Sequence, residues 1–146
     1  MNILIPAFTH CNSYATDATF SMMPNERPSY NYMAVLRLKG VSSFDIEDHL
    51  LKNNGEARSY LFSNWKGLYG LPDFPDFSDP ILGERLKNFP DEYRRFMAQD
   101  FESALKKYRL DYIASIGALS PDVTRQFRNL KTVFASENVF VYQIQD

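Results

Sequence analysis

Cysteine is nearly absent: Cys11 stands alone among 146 residues. It closes no internal disulfide, and a lone thiol suits a reducing compartment as well as a thiol-poor extracytoplasmic one. Histidine is also scarce, with only His10 and His49. His10 adjoins Cys11, but no second Cys–His pair completes a zinc site, so the pair reads as structural. So few such residues nearly exclude nucleophilic triads, and neither G-x-S-x-G nor H-E-x-x-H occurs. Acting on a sugar needs only two carboxylates meeting in space, and the spacing singles out no pair. No run of about 18 apolar residues is present, so nothing in the chain spans a membrane. The apolar opening Met1 to Phe8 is too short for a signal peptide and lacks its charged start. The net charge of −2 provides no basic field for phosphates and argues against a nucleic-acid partner. Internal repeats and low-complexity segments are missing as well.

What is present is an ordinary globular balance, 45% apolar and 23% charged, rich in aromatics at 15% with twelve Phe and nine Tyr. Most such rings build a core; the sharper reading is that several Tyr line a binding face. Residues 1–29 read as an irregular arm and 30–146 as one α/β domain. A helix beginning near Pro28 stops at Gly40, although Met33 to Leu36 leaves a strand possible. Ser42 and Asp45 open a helix from Phe44 to Asn53 with Phe44, Leu50 and Leu51 as its buried stripe, and His49 packs near it. Ser59 to Ser63 reads as the first core strand. Tyr93, Phe96, Met97, Phe101, Ala104, Leu105 and Tyr108 recur at spacings of three and four, which predicts one amphipathic helix within 81–109; Arg94, Arg95, Glu102, Lys106 and Lys107 face water. Strands follow at 112–116, 131–135 and 139–144, with a helix from Ser120 to about Leu130 and a turn at 136–138. Strands alternating with helices predict a mainly parallel, Rossmann-like sheet flanked by helices, with a C-terminal antiparallel hairpin strand. Phe101, Leu105, Tyr112, Ile113, Ile116, Phe134 and Val141 are the expected core.

Three features invite a chemical reading. Gly67 and Gly70 follow a strand but complete neither phosphate-loop pattern, and read as a turn. Asp73, Asp76 and Asp79 alternate with prolines; such carboxylates cap backbone groups more often than they ligate calcium. The last is Asn64-Trp65-x-x-x-Tyr69 at the carboxyl end of the first strand, where open α/β sheets bind ligands. Asn64, Trp65 and Tyr69, walled by Asp73, form the candidate ligand shelf; the competing reading is that Trp65 plugs the sheet edge. No catalytic residue, metal or cofactor is assigned.

The order of residues 59–146 resembles the soluble extracytoplasmic domain at the carboxyl end of bacterial multi-spanning membrane proteins, closest to the GT-C type of lipid-linked-sugar glycosyltransferases. The residues carrying the likeness are Tyr60 to Asn64, then a long helix leading to Lys107-Tyr108-Arg109-Leu110-Asp111-Tyr112-Ile113, then Val139 to Ile144. The resemblance covers a little over half the chain. In that family the catalytic acid lies in a loop between membrane helices, so no catalytic residue carries over. It implies an accessory domain, not itself catalytic, on the extracytoplasmic face of a membrane protein. There it would lie against the membrane portion of its parent and help position a lipid-linked or polymeric sugar. The alternative is a free-standing cytoplasmic domain that binds a small ligand or partner protein. Hydrophobic spans before residue 1 would favour the first, and a native start there the second.

Overall fold

The computed structural model describes residues 26–61, 80–108 and 110–145. In chain order these form α1 (Glu26–Leu38), α2 (Ile46–Lys52), α3 (Asn54–Leu61), α4 (Pro80–Met97), α5 (Phe101–Lys106), β1 (Tyr112–Ile116), the one-turn α6 (Pro121–Thr124), β2 (Leu130–Ser136) and β3 (Val139–Ile144).

The segment around Met33 to Leu36 is helical, and α1 ends as expected. Gly40 takes φ +76°, its N–H donates to the Arg37 carbonyl at 3.0 Å, and the Val41 N–H reaches Leu36 at 3.0 Å. This is a glycine-terminated Schellman turn. In α2 the stripe is rotated from expectation. The helix starts at Ile46 after Asp45, so Ile46 and Leu50 are buried, while Phe44 is 92% and Leu51 73% exposed. Ser42 does not cap this helix; its Oγ accepts from the Phe44 N–H in a local turn.

The expected first strand at 59–63 is corrected. Ser59, Tyr60 and Leu61 lie in α3, and residues 62 and 63 fall outside the described residues. Ala57 and Leu61, four apart, are both buried, and the Tyr60 ring stacks on Tyr32 at 5.0 Å. Short apolar runs fit either period, and here burial at helical spacing decides.

The long amphipathic helix is present but broken. α4 ends at Met97 and α5 starts at Phe101, with Asp100 as N-cap, its carboxylate accepting from the Ser103 N–H at 2.9 Å and the Ser103 hydroxyl at 2.6 Å. Tyr93, Phe96, Phe101, Ala104 and Leu105 are buried as expected. Glu102, expected in water, is buried and accepts from the Arg128 N–H at 3.0 Å.

The predicted Rossmann-like parallel sheet does not form. The sheet has three strands in the order β1-β3-β2, and both pairings are antiparallel. β1 and β2 run in the same direction, as a crossover would leave them, but β3 lies between. The reason is local. The turn at Glu137 and Asn138 brings β3 beside β2 with minimal loop closure, and the other side of β3 is then free to take β1. The expected helix from Ser120 to Leu130 shrinks to the four residues of α6, capped by Ser120.

Helices and one face of the sheet share a core. Ring-to-ring contacts run Tyr60–Tyr32–Phe89–Tyr93–Phe96–Phe101–Phe127 with centroids 5.0 to 6.5 Å apart. Ile113 and Tyr142 are buried on the sheet's inner face, with Phe140, Ile144 and Leu130 packed beside them. Arg37, only 7% exposed, ties the parts together. It donates to the Phe96 and Gln99 carbonyls at 3.1 and 3.0 Å and to Gln126 Oε1 at 2.7 Å, with its guanidinium 4.4 Å from the Phe101 ring centroid.

Candidate functional site

Side chains alternate across a strand, so the face opposite Ile113 and Tyr142 is fixed by register. Three cross-strand rows stand on it. The first is Tyr112, Gln143 and Lys131; the second Ala114, Val141 and Phe134; the third Ile116, Val139 and Ser136. Tyr112 is 54%, Ile116 67%, Phe134 52% and Val139 40% exposed. A one-turn α6 leaves this side without a crossover helix, and the apolar side chains stay in solvent. Residues 131–136 are exposed throughout, and Val133 is the extra residue of a bulge between Thr132 and Phe134.

The face is graded. In its first row Gln143 Nε2 donates to the Tyr112 hydroxyl at 3.3 Å, and Lys131 pairs in register with Gln143. That row therefore offers a cation beside neutral polar groups. The two further rows are apolar except for Ser136. With strands about 4.8 Å apart, three of them make a platform about 10 Å across, enough for one flat or chain-like apolar group.

A second cluster joins α1 to α5. The Tyr30 hydroxyl donates to the Ala104 carbonyl at 2.8 Å, Lys107 Nζ lies 4.4 Å from the Tyr30 ring centroid, and the Arg27 guanidinium 4.9 Å from that of Tyr108. Burial, and then the neighbouring Tyr108, push the Tyr30 phenol above its ordinary value. Cations over ring faces explain this corner as packing.

Of the residues read as the candidate site, Asn64, Trp65, Tyr69 and Asp73 all lie outside the described residues, as do Gly67, Gly70, Asp76, Asp79, His10 and Cys11. His49 is half-buried on α2, its Nδ1 3.5 Å from Asn53 Nδ2. Among the described residues no three His, Cys, Asp or Glu side chains gather to hold a metal ion, and no helix is long and apolar enough to cross a membrane. The open face is what the sequence reading missed. It placed Tyr112, Ile116 and Phe134 in the core, because strands apolar on both sides look like a sheet covered on both sides. The one available signal was the short stretch between β1 and β2, where Gly117, Ser120 and Pro121 leave little room for a covering helix.

No protein family, curated protein or solved structure matches the chain.

Proposed function

We propose that this chain is an accessory binding domain without chemistry of its own, and that the open sheet face holds an amphiphilic anion of the lipid-linked sugar-phosphate class. The observation that carries this is the grading of the face. Lys131, Gln143 and Tyr112 suit a phosphate or sugar hydroxyl at one end, and Ala114, Val141, Phe134, Ile116 and Val139 suit a hydrocarbon chain beside it. In that role the domain sits on the extracytoplasmic side of a membrane protein of glycosyltransferase type, against its membrane portion. The resemblance in residues 107–113 and 139–144 supports that setting. A second reading, a free-standing cytoplasmic domain with a protein partner, draws on the same exposed apolar face.

Amide shift mapping with farnesyl phosphate, farnesol and inorganic phosphate separates the readings. Farnesyl phosphate is expected to shift Lys131, Phe134, Ala114 and Val141 at lower concentration than either half-molecule does. Lys131→Glu should weaken the phosphate-bearing probe alone, and Phe134→Ser both lipid probes. Shifts confined to other surfaces, or none at all, would sink the lipid reading and leave the protein-partner one. Trp65 is the only tryptophan, so its emission in the same titration reports on the Asn64–Trp65–Tyr69–Asp73 shelf.

A further inference from the structure

The sheet has two outer edges, and they differ. β2 carries Lys131 and the bulge at Val133, two devices that discourage edge pairing. β1, Tyr-Ile-Ala-Ser-Ile, carries no charge, no proline and no bulge, and its register with β3 is unbroken from Tyr112 to Ile116. Its hydrogen bonds fix which groups face outward. The Ile144 N–H donates to the Asp111 carbonyl at 3.0 Å and the Gly117 N–H to the Asn138 carbonyl at 2.7 Å. In an antiparallel ladder residues 111, 113, 115 and 117 thus address β3, and the N–H and C=O of Tyr112, Ala114 and Ile116 point away from it. Among the described residues no strand lies on that side.

From this edge we infer that the chain pairs with a second copy of itself through β1, antiparallel and centred on Ala114. The strand is complementary to itself in that register. Ala114 meets its own counterpart, and Tyr112 meets Ile116 of the second copy. All three are the residues whose backbone groups face outward, so each of the three residue pairs closes two N–H···O=C bonds, and no outward group is left over. Tyr112 and Ile116 both stand on the open face, so the register also yields two aromatic-to-β-branched cross-strand pairs, a favoured combination. No like charges oppose one another. One two-fold axis relates the copies, so the contact closes at a dimer. The result is a six-stranded sheet with one continuous open face. This inference stands on the edge alone and does not depend on what that face binds.

Sedimentation velocity of the full chain over a wide concentration range tests it. The wild type is expected to pass from monomer to dimer as concentration rises, with the Tyr112, Ala114 and Ile116 amides gaining hydrogen-exchange protection in step. Ala114→Lys puts two cations on the axis and should hold the chain monomeric, with unchanged circular dichroism because residue 114 is exposed. Mixing Ala114→Lys with Ala114→Glu should restore a dimer that neither variant forms alone. Phe134→Ser, which thins the open face and leaves the β1 edge intact, should keep the dimer while losing lipid-probe binding. A wild type that stays monomeric at all concentrations, or a dimer indifferent to Ala114→Lys, would overturn the pairing. Neither result bears on the lipid-probe titration.

Discussion

Tyr32 and Tyr93 are both fully buried, and burial pushes both phenols far above their ordinary value. They differ in their oxygens. The Tyr93 hydroxyl donates to the Val41 carbonyl at 2.7 Å; the Tyr32 hydroxyl is buried without a partner among the described residues. An unmade buried hydrogen bond is a loss that removing the group recovers. Tyr32→Phe should therefore leave stability unchanged or raise it by up to about 1 kcal/mol, whereas Tyr93→Phe should lower it by about 1 kcal/mol. Urea titration of the two variants measures the order, and a reversed order would contradict it. Arg37 carries a heavier load, since three acceptors on α4, the following turn and Gln126 depend on one guanidinium. Arg37→Ala should cost more than about 2 kcal/mol, and Arg37→Lys should recover little, because an ammonium cannot reproduce the planar fork. Thermal unfolding of both checks this. The aromatic core was legible as a tendency of Phe and Tyr to pack. The helical stripe placed Tyr93 inside; that Tyr112 is exterior was not legible, because the same residue type fills both places and only the partner elements tell a covered strand face from an open one.

The break between α4 and α5 shows how one cap divides an apolar stripe. The stripe from Tyr93 to Tyr108 was readable from its period, and most of it is buried. The break was not read, although Asp100 three residues ahead of Ser103 is a cap pairing. The two bonds from Ser103, side chain first, hold the Asp100 carboxyl below its ordinary value. A lowered folded-state value means the unfolded chain binds the proton more readily. The contribution of Asp100 is therefore whole above the usual aspartate range and fades as pH falls through the lowered value. Asp100→Asn keeps a capping acceptor but cannot titrate. It should match the wild type closely at neutral pH and lose less stability on acidification, which melting temperatures across an acid series would show. An acid limb as steep as the wild type's would assign that sensitivity elsewhere. Among the strands, 112–116, 131–135 and 139–144 were each legible from composition and turns. Their pairing was not, since alternation and length say nothing of which strand lies between which.

At the scale of the molecule, the helices and the inner sheet face share one core, and the sheet's position in the chain has a consequence in time. Among the described strands β3 alone touches both others, and it is the last of the three to leave a ribosome. Until residue 144 has emerged, β1 and β2 have no ladder, and Tyr112, Ile116, Val133 and Phe134 travel as unpaired β-prone chain. The helical segments carry their own buried contacts, Tyr32, Leu36, Ile46, Phe89 and Tyr93 among them, and all of these residues precede β1 in the chain. A chain cut after Ser136 should keep much of its helical circular dichroism, bind a hydrophobic dye and lose exchange protection throughout 112–116. Native-like protection there would mean the strands assemble without β3. During synthesis the exposed edge and face thus meet the cellular milieu twice. The first time they are a nascent segment awaiting its central strand; the second time they are a finished surface.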